Sequence, residues 1–145
     1  MKFLRLQKLV LLFLLLVIAT VGCKKDDNPT ESSNSTFVAT WKLTKLSATI
    51  SGTPIEMTPE QAGTQMTIVA NQDNTFTMTT TDGTGTKTNT GTWSTTGTQL
   101  TLKYSDGTSA TYDYTLSGST LTIKNYPYTH ETFGNLLLNL QFTKQ

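Results

Sequence analysis

The 145-residue sequence contains one cysteine, one histidine and one arginine, and each shortage excludes a class of protein. A lone cysteine has no partner in the chain, so an internal disulfide framework is excluded. A lone histidine leaves no cluster of His and Cys ligands, so we predict no metal site and no cofactor. The net charge is only +1, and the single arginine, Arg5, lies near the N-terminus. The chain therefore has no basic surface for nucleic acid.

Catalytic groups are also sparse. His130 and Glu131 are neighbours in sequence, and adjacent side chains in a strand or loop point apart, so we interpret His130 as a solvated loop residue. The aspartates of Asp82-Gly83 and Asp106-Gly107 have the composition of tight turns, which explains their carboxylates without chemistry. No glycine-rich phosphate loop opens a helix. We predict that the protein is not an enzyme.

The N-terminal segment has the layout of a secretory leader. Three positively charged residues precede an uncharged apolar block of 13 residues, 9–21. A membrane-spanning helix needs about 20 residues, so this block predicts a signal peptide over residues 1–22 and not a permanent anchor.

The residues around the cysteine, Thr20-Val21-Gly22-Cys23, resemble a bacterial lipobox. The resemblance implies that Cys23 is acylated and becomes the new N-terminus. Two or three acyl chains, at about 0.8 kcal/mol per buried CH₂, would anchor a soluble domain to a membrane. The alternative is an ordinary leader that is cut near a free cysteine.

A polar segment separates this cysteine from the folded part. The charged run Lys-Lys-Asp-Asp over residues 24–27 resembles the tag that sends some lipoproteins to the outer face of the bacterial outer membrane, although it is also typical of a solvated linker. Residues 28–35 have no apolar periodicity and predict a flexible tether. We therefore divide the chain into a leader (1–22), a lipidated tether (23–36) and one domain (37–145), on a surface-exposed lipoprotein of the outer membrane.

The domain has the periodicity of β-strands. Threonine makes up about a quarter of its residues, and apolar and polar positions alternate. The pattern predicts eight strands, at residues 40–50, 64–70, 75–81, 87–94, 99–104, 109–116, 120–124 and 136–144. Residues 53–63 contain Thr58-Pro59, which indicates one helical turn or a lid-like loop. Residues 126–135 are interpreted as a long connection before the last strand.

The connections favour a meander of antiparallel strands. Asp82-Gly83, Asp106-Gly107 and Ser117-Gly118 fall between strands, where hairpins need residues that tolerate positive φ. The segments GTQLTLKY from Gly97 and GSTLTIKN from Gly118 repeat one pattern at a spacing of 21 residues. That spacing suits two strands of like direction with one return strand between them. Eight such strands predict an all-β, up-and-down barrel, with a two-sheet sandwich as the alternative.

Four short segments, ATWKL, GTWS, LTLKYSDGT and YTLSGSTLTIK, together resemble the lipocalin-like domain of small bacterial lipoproteins. The similarity covers residues 37–144 and implies a calycin-like β-barrel. It also implies that Trp41 lies across the closed end, with Lys144 on the last strand as the basic side chain that packs over it.

A barrel interior of eight strands either is filled by side chains or holds one small ligand. If a pocket exists, we expect inward aromatic residues to line it and their hydroxyls to orient the ligand. The predicted pocket residues are Phe76, Trp93, Tyr104, Tyr112, Tyr114 and Phe142. The alternative function is a surface module with a solid core that meets another protein or a glycan. A cavity of about 300 Å³ or more is expected only for a ligand carrier.

Overall fold

The computed structural model describes residues 34–130 and 134–145. The predicted leader, the lipidation site Cys23 and most of the predicted tether lie outside the described residues. Residues 31–145 form one compact unit. Within the described ranges, no helix has the length and hydrophobicity needed to cross a membrane.

Strands dominate the described part of the chain. After a single helical turn, α1 (Asn34–Phe37), the chain runs through nine strands. They are β1 (Ala39–Ile50), β2 (Thr53–Met57), β3 (Gln65–Ala70), β4 (Thr75–Asp82), β5 (Gly85–Thr96), β6 (Gln99–Tyr104), β7 (Ser109–Ser117), β8 (Thr120–His130) and β9 (Gly134–Lys144). Eight of them correspond to the predicted strands.

The sheet closes on itself between its first and last strands. Trp41 of β1 is paired with Ile68 of β3 on one side and with Lys144 of β9 on the other. From β3 to β9 each strand pairs antiparallel with the next. The predicted eight-stranded antiparallel barrel is therefore confirmed, and the alternative of a two-sheet sandwich is excluded.

The prediction of a helical turn or a lid-like loop over residues 53–63 is wrong for residues 53–57, which form a strand, and is confirmed for the helical turn after it. Residues 53–57 form β2, which pairs with the second half of β1 while β3 pairs with the first half, so β2 and β3 together fill one strand position. The helical turn follows at Thr58. The backbone N–H of Thr58 donates to Gln61 Oε1 at 2.9 Å, and the N–H of Gln61 donates to Thr58 Oγ1 at 3.3 Å. This reciprocal pair is a capping box.

The long connection predicted over residues 126–135 is also wrong, because most of it is strand. β8 continues to His130 and β9 begins at Gly134. The register shifts by one residue between Ile123 and Tyr126, where Asn125 adopts a φ of 55°. Beyond this bulge β8 remains paired with β9, whereas its pairing with β7 has ended at Ile123.

Three turns at the strand ends share one chemistry. In each, an aspartate Oδ1 accepts a bond of 2.6 Å from the hydroxyl of the threonine two residues later. The same oxygen accepts a bond of 2.8–3.0 Å from that threonine's backbone N–H. The pairs are Asp73–Thr75, Asp82–Thr84 and Asp106–Thr108. These side chains fix the turns locally, which explains why the turns at Asp82 and Asp106 could be located from sequence.

The core is a single cluster of inward-facing residues. The buried hydrophobic residues are Phe37, Trp41, Leu43, Leu46, Met66, Ile68, Ala70, Phe76, Met78, Trp93, Leu100, Leu102, Tyr114, Leu121, Ile123, Leu138, Leu140 and Phe142. All of them lie in the unit of residues 31–145, together with every strand pair of the described ranges. This unit thus contains its whole core, and we expect it to fold without the preceding segment.

Candidate functional site

One end of the barrel is filled by aromatic side chains. Trp41 is fully buried, and its Nε1 donates a hydrogen bond of 2.8 Å to the carbonyl of Phe37. The Phe37 ring lies 4.8 Å from the Trp93 ring and 6.2 Å from the Tyr114 ring, between centroids. The turn α1 thus places a phenylalanine as a plug in the barrel mouth, and this end is closed.

Lys144 lies at the rim of this closed end. It is directly opposite Trp41 in the β1–β9 register, and its side chain is exposed. Its backbone N–H donates to the carbonyl of Ser119 at 2.8 Å, which ties the last strand to the β7–β8 turn. The residue that covers the Trp41 indole inside the barrel is Phe37, which sequence reasoning treated only as the start of the domain.

The opposite end holds a cavity of about 550 Å³. This volume falls within the roughly 300–1,000 Å³ of small-molecule sites in proteins. Its apolar lining comes from β1, β2, β3, β4, β8 and β9. These residues include Leu43, Leu46, Ala48, Ile50, Ile55, Met57, Met66, Met78, Leu136, Leu138 and Leu140. The inner part of the cavity is therefore lined mainly by leucine and methionine side chains.

Polar lining residues are concentrated on the hairpin of β4 and β5. Thr80, Asp82, Lys87 and Asn89 all face the cavity there, with Thr84 and Thr86 at its tip. The register places Met78 opposite Asn89, and Thr80 opposite Lys87 one row nearer the opening. The cavity therefore has one polar wall and an apolar remainder.

Between β5 and β8 the barrel wall is shorter at the open end, because β6 and β7 end before their neighbours do. β5 pairs with β6 only from Gly91, opposite Tyr104, and β7 pairs with β8 only from Tyr114, opposite Ile123. Both long strands continue toward the open end, β5 back to Gly85 and β8 on to His130. The short β6–β7 turn at residues 105–108 lies between them. A gap in the wall results, beside the polar lining of the β4–β5 hairpin.

Three tyrosines form the inner border of this gap. The rings of Tyr112 and Tyr126 stack with centroids 5.5 Å apart, and Tyr126 also lines the cavity. Burial raises the pKa of all three hydroxyls, those of Tyr104, Tyr112 and Tyr126. Repulsion between the ionised forms of Tyr104 and Tyr112, and the hydrogen bond between the two side chains, raise the pKa of Tyr112 further. These phenols stay neutral at physiological pH and act as hydrogen-bonding groups, not as bases.

The six aromatic residues predicted for the pocket lie elsewhere in the barrel. None of them lines the cavity. Trp93 and Tyr114 pack around Phe37 at the closed end, while Phe76 meets Tyr104 edge to face at 5.6 Å. Phe142 is fully buried opposite Leu43. Tyr112 stacks on Tyr126, which lines the cavity.

The sequence feature that accompanies the cavity is the aliphatic character of the inward positions toward the open end of β1, β2, β3 and β9. Met57, Met66 and Met78 all lie in its wall. Methionine adapts to irregular space, and it is common at sites that take apolar ligands. Within the described ranges, no group of three or more His, Cys, Asp or Glu residues could hold a metal ion.

A closed barrel of eight antiparallel strands, plugged at one end and hollow at the other, defines the architecture as that of a lipocalin-type barrel. Residues 37–123 match the family of the lipocalin-like domain, and the chain belongs to this family. The matched segment runs from the plug residue Phe37 into β8, so it includes most strands of the barrel. No curated protein matches the chain significantly.

Proposed function

We propose that the protein binds a small apolar or amphipathic molecule in the open end of the barrel. The observation that carries this proposal is the cavity of about 550 Å³ with leucine and methionine walls. A module that uses only its outer surface has no need for such a space, since an unfilled core costs stability. The cavity therefore favours ligand binding over the alternative of a solid barrel that meets a protein or a glycan.

We further propose that the chain is a non-enzymatic lipoprotein, anchored through Cys23 to the bacterial outer membrane with its barrel at the cell surface. The sequence around Cys23 and the polar segment after it support this placement. The anchor and the barrel have separate roles in this account: the lipid holds the protein at the membrane, and the barrel takes up the ligand.

The binding proposal is tested with a neutral apolar dye, N-phenyl-1-naphthylamine, whose fluorescence rises in apolar surroundings. We expect saturable binding of one dye to residues 31–145. The variant Ala48→Trp places a large ring in the cavity and should abolish binding. Thr92→Trp adds the same ring on the exposed outer face of β5 and serves as the matched control. Absence of saturable binding to the unmodified barrel, or equal loss in both variants, would contradict the proposal.

A further inference from the structure

The polar wall of the cavity is arranged in rows that run from the interior to the opening. The innermost row pairs Met78 with Asn89, and the next pairs Thr80 with Lys87. The outermost pairs Asp82 with Gly85. A ligand that enters from the open end therefore passes Asp82 first and Lys87 next. It meets the amide of Asn89 deepest in the wall.

Asn89 is a half-buried polar residue of this wall, as is Thr80. Its carboxamide offers two donors and one acceptor, and among the described residues its side chain has no hydrogen-bond partner. An amide that a bound ligand covers must be paired by that ligand, because an unpaired buried group is costly. Asn89 thus favours a ligand with a polar group at this depth, beside the tyrosine border of the gap.

Lys87 supplies a positive charge directly above Asn89. Among the described residues the one ion pair joins Lys45 and Glu56 on the outside of the barrel, so no carboxylate lies within ion-pair distance of the Lys87 ammonium. Besides the threonine hydrogen bonds in the β6–β7 turn, the charge of Lys87, which acts at longer range, lowers the pKa of Asp106 there. The cavity's own acid, Asp82, directs Oδ1 into its turn, where Thr84 donates to it twice. The hydrogen bonds from Thr84 also hold the pKa of the Asp82 carboxyl below its usual value. Lys87 lies between that carboxylate and the interior.

We propose that the ligand is a single-chain amphiphile with an anionic head, of the chemical class of a fatty carboxylate. Its chain lies among Leu46, Met66, Met78 and Leu138, and its head binds Asn89 and Lys87 at the gap between β5 and β8. This inference rests on the proposed binding function and adds the class and orientation of the ligand to it.

The test compares three ligands of equal chain length. Dodecanoate, dodecanol and dodecylammonium, each below its micellar concentration, displace N-phenyl-1-naphthylamine from residues 31–145. We expect dodecanoate to bind most tightly. Lys87→Gln should weaken dodecanoate by roughly threefold, because an exposed charge pair contributes little in water. Asn89→Asp places a carboxylate against the head and should weaken dodecanoate by about tenfold or more, since hydrogen bonds to charged groups are the stronger ones.

Controls separate this inference from the function on which it rests. Lys103→Gln removes an exposed charge from β6, outside the cavity lining, and should leave all three affinities unchanged. Dodecanol and the dye should bind both cavity variants as they bind the unmodified barrel. Equal affinities for the three ligands, or a preference for dodecylammonium, would overturn the anionic head while leaving the cavity function intact. Failure of the neutral dye to bind at all would overturn both.

Discussion

The indole of Trp41 and the backbone of Phe37 are joined by a hydrogen bond of 2.8 Å at the closed end of the barrel. Both residues are fully buried. The bond satisfies the only polar atom of the indole in a place that water does not reach, and it fixes the turn α1 against the barrel mouth. The two residues together decide which end of the barrel is closed, and so which end is left for a ligand.

Trp41→Ala should lower the free energy of unfolding by about 3 to 5 kcal/mol, because it removes a large buried ring and leaves a void beside Phe37. Trp41→Phe retains most of the ring and loses the hydrogen bond, so it should cost clearly less. Urea denaturation of both variants measures the difference. An unchanged unfolding midpoint for Trp41→Ala would show that the indole is peripheral to the fold.

Gly91→Ala should destabilise the barrel, although the residue lies in a strand and has an ordinary φ. A Cβ at this position would contact the carbonyl oxygen of Lys103 and lie 2.9 Å from the Cα of Tyr104. Backbone on β6 must move to admit it, which costs about 1 to 3 kcal/mol. Gly83→Ala is the matched control, since a Cβ there meets open space. Equal thermal midpoints for the two variants would contradict the close approach of β5 and β6.

Stability should fall as the solution is acidified through the titration of the turn aspartates. Hydrogen bonds from the threonine side chains hold the pKa of Asp73, Asp82 and Asp106 below their ordinary value of 3.8. A depressed carboxyl pKa in the folded state stabilises the fold above the unfolded pKa, and this stabilisation is lost as pH falls through the folded pKa. The triple Asp→Asn variant should therefore show a flatter loss of stability between about pH 5 and pH 2.

The control for this titration is Asp113→Asn, which changes an exposed carboxylate on the outer face of β7. Urea midpoints at several pH values should have the same slope for Asp113→Asn as for the unmodified barrel. A triple variant with an unchanged slope would show that the Asp–Thr pairs do not contribute to acid stability.

Cys23→Ser should release the full-length protein from membranes and leave the barrel folded. The acyl chains supply the anchoring energy in this account, whereas the core of the described residues lies within residues 31–145. Fractionation of cells that express either form measures the distribution, and circular dichroism of the released form checks the fold. A serine variant that still sediments with membranes would refute anchoring through Cys23.

Alternation of apolar residues predicts the strands of the barrel, because the inward face of each central strand must be core. Closure was predicted from the hairpin turns and the number of strands, and a two-sheet sandwich stayed open as the alternative. The two strand segments that were missed, 53–57 and 126–130, contain Pro54 and Pro127. Proline is disfavoured inside a sheet because it cannot donate to a neighbouring strand. Both segments pair on one side only, β2 with β1 and the end of β8 with β9, so a missing donor is tolerated there.

The cavity could not be located from sequence in the same way. The alternation identifies which residues point inward, but not which of them fill space and which border it. Phe37 lies outside the strands, and its ring meets Trp93 and Tyr114, so aromatic residues that were expected to line a pocket instead plug one end. The gap near Asn89 depends on the unequal lengths of β5 and β6, which follow from the pairing register and not from any single residue.

The most direct test of ligand binding in the open end is methyl NMR on residues 31–145, with ¹³C label at the δ1 methyls of isoleucine. Four isoleucines divide evenly: Ile50 and Ile55 line the cavity, whereas Ile68 and Ile123 are buried outside its lining. On titration with dodecanol, we expect saturable shifts for Ile50 and Ile55 and little change for Ile68 and Ile123. Shifts confined to Ile68 and Ile123, or no saturable shift at any of the four, would contradict a ligand site in the open end of the barrel.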